Sequence, residues 1–242
     1  MRPEGAFLSD RKRKRRMDYK NKEAVRQIQI PKTICESIYI YLRDSIVANE
    51  FEPNRKINEG AIAYMFQVSR TPVREALVRL AAEGFVEISS HRGSMVKIVS
   101  YKEIKEMFQV IGVLDCLAAD LIVDRIDHDG LATLEKMTNE MERYFKDGDI
   151  GNFIEADYAI HDGVWAYLGD ANDFLQKELH ACILRIKMGC SSPDIVLINL
   201  ETIKRSMEKH KGITEAFRTK NKEKLKIIVL EHWVPPPPII HN

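Results

Sequence analysis

The stretch SRTPVREAL, residues 69–77, decides the fold of the N-terminal part of the chain, because it reads as the first turns of a helix. Pro72 is tolerated only in the first helical turn, where its missing N–H needs no intrahelical partner, so it marks the helix start. Four apolar residues follow with i, i+3, i+4, i+7 spacing: Val73, Ala76, Leu77 and Leu80. Since these face inward, Arg70 and Arg74 lie one turn apart on an outer face.

Two patterns upstream of this helix predict a helix-turn-helix. Residues 34–47 predict a first helix with an apolar residue at every fourth position, namely Ile34, Ile38, Leu42 and Ile46. Residues 57–66 predict a second helix. Only Gln67, Val68 and Ser69 separate it from the third helix, which is the spacing of a helix-turn-helix.

A polar hairpin is predicted directly after the third helix, which ends near Gly84. Residues 85–88 and 95–98 read as two short strands, and the turn between them contains His91, Arg92 and Gly93. A helix-turn-helix followed at once by a basic hairpin has the outline of a winged helix.

The two arginines of the third helix need a partner outside the helix, because cations are slightly unfavourable at the positive end of a helix dipole. A DNA major groove supplies one, since arginine binds guanine bidentately and flanking phosphates are anionic. The alternative is an exposed helix with ordinary surface charges. The predicted DNA-binding residues are those at the helix start, where Ser69 or Thr71 is the cap, and those of the hairpin turn: Ser69, Arg70, Thr71, Arg74, His91, Arg92 and Gly93.

The chain from Tyr101 onward has helical periodicity and little strand signal. We expect six or seven helices in an antiparallel bundle. The predicted fold class is therefore mainly α, with an N-terminal winged helix-turn-helix and a C-terminal all-α helical bundle. The predicted segments are a basic, disordered leader, a DNA-binding domain, a helical domain for effector binding and dimerisation, and a proline-rich tail: residues 1–30, 31–99, 100–234 and 235–242.

Charge is distributed unevenly along the chain. Residues 1–100 carry 19 Lys and Arg against 12 Asp and Glu, a net charge of +7, whereas the whole chain carries only +1. A basic first part on an acidic second part predicts that only the first part contacts a polyanion. Much of the excess lies in the basic run at residues 11–16. This run is either a solvated leader, upstream of a true start at Met17, or an arm that adds salt-sensitive phosphate contacts.

Three helices of the acidic part place metal-compatible side chains where core residues belong. Asp157 and His161 share one helix face, His210 belongs to a second apolar stripe, and His232 ends a third. The apolar members of these stripes are Val164, Leu168, Ile203, Met207, Phe217, Leu225, Ile228 and Val229. A single core histidine is usually structural, but one aspartate and three histidines predict a divalent metal site. Zn²⁺ fits these ligands best, and Ni, Mn or Fe also suit them.

Several classes of protein are excluded by what the sequence lacks. The four cysteines (Cys35, Cys116, Cys182 and Cys190) form no CxxC pair, which predicts reduced thiols and a cytoplasmic protein. No apolar run approaches the length of a membrane span, so no membrane partner is expected. The spacings of a nucleophilic triad, a phosphate loop or a dinucleotide fingerprint do not occur. Catalysis therefore has thin support, and we expect no enzyme.

The motifs INEGAIAYMFQV, SRTPVREALVRLAAEGFVE and HRGSMV resemble the winged-helix domain of the GntR family of bacterial transcription regulators. The motifs EADYAIH, EKHKGITEAFRTKN and the later EH resemble the FCD domain, the all-helical ligand-binding domain of its FadR subfamily. The resemblance covers residues 34–233. It implies a homodimer that binds a palindromic operator on double-stranded DNA and senses a small carboxylate or sugar-acid metabolite.

Individual residues follow from the resemblance. The metal ligands of the metal-binding branch fall on Asp157, His161, His210 and His232, and the DNA-contacting arginines fall on Arg70 and Arg74. The chain departs from the family pattern at two positions, with Gly60 and Ile111 where the family often has a basic residue and an arginine. Substitutes for an effector-binding arginine at the second position are Arg185 and Arg205.

Three hypotheses for function result. The leading one is a metabolite-responsive, metal-containing GntR-type regulator, expected to repress transcription. The second is a metal-dependent enzyme that acts on a small acid, and the third is a regulator whose metal ion only ties three helices together.

Overall fold

The computed structural model describes residues 33–190, 199–235 and 237. The predicted leader lies outside the described residues, as does the tail apart from Pro235 and Pro237. The described chain divides into two compact units between Lys97 and Ile98. This division lies two residues before the domain boundary that the sequence predicts.

The N-terminal unit begins with three helices, α1 (Ile34–Val47), α2 (Glu59–Phe66) and α3 (Arg70–Ala82). The bounds of α1 match the prediction, although Ile34 at its start is 46% exposed. Helix α2 begins later than predicted because the Asn58 side chain caps it, accepting from the Ala61 N–H. Gln67, at φ 58°, ends α2 in the left-handed conformation and redirects the chain into α3.

The predicted inward stripe of α3 is buried in the core of this unit. Ser69 occupies the N-cap position of α3, but its side chain makes no capping hydrogen bond. Two antiparallel strands follow, β1 (Val86–Ser89) and β2 (Gly93–Val96), with Val86 opposite Val96 and Ser89 opposite Gly93. The strands are shifted by one or two residues from the predicted ones. The prediction of a winged helix-turn-helix is confirmed.

The C-terminal unit contains six α-helices in its described residues. Helices α4 (Tyr101–Ile122) and α5 (His128–Asp147) precede α6 (Ile150–Trp165), which continues into a 3₁₀ segment (Ala166–Ala171). The remaining helices are α7 (Asp173–Cys190), α8 (Leu200–Arg218) and α9 (Lys222–His232). Helix α5 packs on α6 and α8, α4 packs on α7 and α9, and α8 packs on α9.

Local signals start several of these helices. Ser100 and Glu103 form a capping box at the start of α4, and Asn199 and Thr202 form one at the start of α8. Asp127, Asp149 and Asn221 cap α5, α6 and α9. Because α6, α8 and α9 are each positioned by a cap and an apolar stripe, their side chains meet in one core.

The packing of α4 on α7 leaves no room for a side chain at Gly189. A Cβ atom there would lie 2.9 Å from Ile104 Cγ1 and 3.2 Å from Val99 Cγ1. We expect Gly189→Ala to lower the free energy of unfolding by about 1–3 kcal/mol through overpacking. Gly151→Ala is the matched control, because its Cβ would meet only Asp149 Oδ1 at 3.8 Å. Urea denaturation of both variants checks this, and equal midpoints would contradict it.

Candidate metal centre and nucleic-acid interface

The start of α3 presents the predicted DNA-binding side chains to solvent. Ser69, Arg70, Thr71 and Arg74 are all exposed. Arg74 Nε donates to Glu59 Oε2 at 2.8 Å, so a carboxylate from α2 neutralises part of its charge. No ion pair of Arg70 is found among the described residues. In the hairpin turn His91 and Arg92 are exposed. Gly93, which the sequence placed in the turn, is the first residue of β2; it is half-buried and has φ 78°, a conformation that favours glycine.

Arg79, on the same helix, has a different role. Its guanidinium pairs with Glu36 on α1 at 2.5 Å and with Glu83 at 3.1 Å, and it lies 3.6 Å from the centre of the Tyr39 ring. Tyr39 in turn donates to Glu83. Arg79 therefore ties α3 to α1, and two glutamates compensate its charge within the protein.

Three helices of the C-terminal unit bring the four predicted metal ligands together. Asp157 and His161 come from α6, His210 from α8 and His232 from the last turn of α9, and their ligand atoms lie within 4.8 Å of one another. His210 Nε2 is 3.0 Å from Asp157 Oδ1, and the Nε2 atoms of His161 and His232 are also 3.0 Å apart. His161 and His210 are buried, and Asp157 and His232 are half-buried.

The donor set fits a divalent metal ion. Three imidazoles and one carboxylate are a ligand combination that suits Zn²⁺, and also Ni, Mn or Fe. The Nδ1 atoms of His210 and His232 are buried and have no hydrogen-bond partner among the described residues. Buried polar atoms without partners are rare and indicate a missing ion or water. The cluster is thus incompletely satisfied by the protein alone.

The electrostatics of the cluster favour the protonation states that bind metals. Burial lowers the pKa of His161, and it lowers the pKa of His232 more strongly. The neighbouring His210 adds to the lowering of both pKa values. For Asp157 burial acts in the opposite direction, but the charge and hydrogen bond of His210 outweigh it, so the pKa of Asp157 is lowered. The neutral forms of His161 and His232 and the ionised form of Asp157 are the forms that coordinate a cation.

A buried aspartate on α4 holds two tryptophans beside this cluster. Asp115 Oδ1 accepts from Trp165 Nε1 at 2.6 Å, and Oδ2 accepts from Trp233 Nε1 at 2.8 Å. Asp115 Oδ2 also lies 3.8 Å from His161 Nδ1. Gly112 makes room for Trp233, because a Cβ there would lie 3.2 Å from Trp233 Cβ. Asp115 therefore faces the ring nitrogen of His161 that points away from the other ligands.

Sequence reasoning missed Asp115, although a signal existed. It lies on the same face of α4 as the buried Ile111, Ala118 and Ile122. A carboxylate on an apolar stripe is the pattern that singled out Asp157, and the same criterion would have found Asp115.

Ser206 was also missed. Its hydroxyl donates to Asp157 Oδ1 at 2.5 Å, but a serine on a helix carries no such signal.

The two predicted effector-binding arginines occupy different places. Arg205 lines a cavity of about 130 Å³ that also contains Asp157 and His232. Arg185 does not line this cavity, and its Nε donates to the Ala181 carbonyl of its own helix. Only Arg205 is therefore placed beside the metal ligands. Ile111, where an arginine was expected from the resemblance, is fully buried.

The other histidines of the described chain lie apart from the ligand set. His180 pairs with Asp162 at 3.2 Å, and His128 is exposed at the start of α5. His91 belongs to the hairpin turn. Within the described ranges, no helix combines the length and the apolar character that a membrane span requires.

Comparison with known proteins adds independent findings. Residues 34–96 match the GntR family, described as bacterial regulatory proteins, and residues 106–234 match the FCD domain. The HTH-type transcriptional regulator YdhC of Bacillus subtilis is 26% identical over 201 residues, which are 81% of this chain and 85% of that protein. The HTH-type transcriptional repressor RspR of Escherichia coli K12 is 27% identical over 135 residues, 56% of this chain and 59% of RspR.

A solved structure has the same fold. E. coli McbR/YncC matches 83% of this chain and 93% of its own with a TM-score of 0.66, at 18% sequence identity. At this level of sequence identity, the structural similarity shows that the two proteins share an architecture.

The Arg74–Glu59 pair generates a prediction about DNA affinity. Glu59→Gln releases Arg74 from its carboxylate and should strengthen binding to duplex DNA, with a steeper salt dependence. Arg74→Ala should weaken binding to a DNA site selected from a random library by about 1–3 kcal/mol. In the double variant the gain from Glu59→Gln should vanish. Fluorescence anisotropy at several salt concentrations measures the DNA affinity of all three variants. If the changes in binding free energy of the two single variants simply add in the double variant, the pairing is contradicted.

Asp115 generates a prediction about metal affinity. Asp115→Asn keeps the size of the side chain but turns an N–H₂ group toward an indole N–H and removes the charge facing His161. We expect Zn²⁺ binding to weaken about 10- to 100-fold, as for other partners of metal ligands. Competition with a chromophoric chelator measures the affinity, and tryptophan fluorescence reports on the two indoles. Asp162→Asn, which breaks the exposed pair of Asp162 on α6 with His180 on α7, is the control. Equal Zn²⁺ affinity in both variants would refute this role.

Proposed function

Because this chain belongs to the GntR family of transcriptional regulators and carries an FCD domain, we propose that it represses transcription in response to a small carboxylate. The carboxylate binds beside a divalent metal ion in the helical unit and changes the affinity of a homodimer for a palindromic operator. The family and the relatives are DNA-binding regulators and not enzymes.

The single observation that carries the proposal is the meeting of Asp157, His161, His210 and His232 at the edge of a cavity. These four residues would hold the ion, which when bound would supply a positive charge that attracts a carboxylate oxygen. Arg205 lines the same cavity and adds a second cation. A carboxylate is therefore the ligand group that this site favours.

An exposed apolar surface supports the homodimer. Val110, Val113 and Leu117 lie on one exposed face of α4, and Ile227 and Leu230 are exposed on the neighbouring α9. Contiguous exposed apolar patches mark interaction sites. A two-fold contact between two copies buries such a patch against itself and matches the symmetry of a palindromic operator.

The sign of regulation is supported by the repressor RspR, which resembles this chain over about half its length. A ligand changes operator affinity only to the extent that it binds more tightly to one of two geometries of the dimer. For a repressor that is released by its effector, the carboxylate must favour the geometry that does not bind DNA. The same coupling requires that operator DNA weaken the binding of the carboxylate by an equal factor.

The proposal is tested with metal-loaded and metal-stripped full-length protein. Elemental analysis of the purified protein should give one divalent ion per chain, and stripping should lower the melting temperature. A panel of small carboxylates should lower operator affinity only for the metal-loaded protein. His210→Ala should lose both the ion and the response, whereas His180→Ala, outside the cluster, should keep both.

Other outcomes distinguish the alternatives. If stripping the metal lowers the melting temperature but no carboxylate changes operator affinity, the metal ion has a purely structural role. If the purified protein contains no metal and shows no Zn²⁺ affinity in a competition with a chelator, the proposed metal site is wrong.

A further inference from the structure

The cavity beside the metal ligands has mostly apolar walls. The side chains that form them are Phe108, Phe153, Ile154, Ile186, Ile203 and Trp233. We infer that the effector is a monocarboxylate with a compact apolar body, of the benzoate type, rather than a polyhydroxylated sugar acid. This inference rests on the proposed function.

Three of the polar side chains that line the cavity are engaged with the protein itself. Ser206 donates to Asp157, and Thr202 accepts from the Asn199 N–H and donates to the Asn199 carbonyl. Lys209 pairs with Glu231. A sugar acid carries several hydroxyls, and each one buried without a partner is penalised. The walls of this cavity therefore favour an apolar surface over a polyol.

The positive charge of the cavity is concentrated at one end. Arg205 donates through Nη2 to the Val234 carbonyl at 2.7 Å, next to the end of α9 that carries His232. Lys209 is balanced by Glu231. One guanidinium and the metal ligands at the same end provide for one carboxylate, and the rest of the ligand faces apolar walls.

The size of the cavity limits the apolar body. Its volume is about 130 Å³. An apolar protein cavity of roughly 150 Å³ accommodates benzene. A single six-membered ring attached to a carboxylate therefore fits, whereas a long acyl chain or a second ring requires the walls to move.

The test compares three probes on Zn²⁺-loaded full-length protein by isothermal titration calorimetry. Benzoate supplies both the carboxylate and the apolar body, gluconate supplies the carboxylate with hydroxyls, and benzyl alcohol supplies the apolar body without charge. We expect benzoate to bind at least ~10-fold more tightly than either of the others.

A pair of variants locates the binding site. Ile154→Asn places a polar group in the wall and should weaken benzoate binding by ~10-fold. Phe174→Asn changes a side chain that is 73% exposed outside the cavity and should leave the affinity unchanged. Circular dichroism confirms that both variants are folded, and equal benzoate affinities in the two would overturn the placement.

The outcomes separate this inference from the proposed function. If gluconate binds as tightly as benzoate and lowers operator affinity, the apolar ligand class is wrong and the carboxylate-responsive regulator stands. Equal binding of benzyl alcohol and benzoate would refute the role of the carboxylate. If neither acid binds and no acid of the wider panel changes operator affinity, both the inference and the proposed function fail.

Discussion

The withdrawal of one carboxylate and three imidazoles from water, two of the imidazoles fully buried, is the constraint on which the site depends. Ionised and polar groups are costly away from water unless each is paired. Asp157 is paired with His210 and Ser206, and the imidazoles face one another at van der Waals and hydrogen-bond distances. Two ring nitrogens remain without partners in the described chain. A bound cation would compensate the charge of the carboxylate and coordinate the imidazoles that meet there.

The surroundings of the cluster are organised by the same rule. Asp115 is a second buried carboxylate, and the indole N–H groups of Trp165 and Trp233 satisfy it. Because Trp233 follows His232 directly, this hydrogen bond anchors the end of α9 that supplies a ligand. Gly112 permits the close approach. The position of the fourth ligand thus depends on a hydrogen bond to α4, far away in the sequence.

In the N-terminal unit the arginines of α3 differ in their surroundings. Arg79 contacts two glutamates and an aromatic ring, and it stabilises the contact of α1 with α3. Arg70 and Arg74 lie near the N-terminus of α3, where the helix dipole disfavours cations. The outward direction of Arg70 and Arg74 follows from the inward stripe of α3, and both side chains are exposed.

The sequence by itself determined the approximate extent of the helices and of the hairpin, and which four side chains could form a cluster, because both depend on local patterns. The stripe after Pro72 predicts α3 and its outer face, and four ligands on apolar stripes predict a cluster. Sequence periodicity cannot report which distant side chains meet, and only the tertiary structure decided that. It separated Arg205, in the cavity, from Arg185, bonded to its own helix. It also brought Asp115 to two tryptophans 50 and 118 residues away. Those contacts depend on how the helices pack, and packing is a property of the whole core.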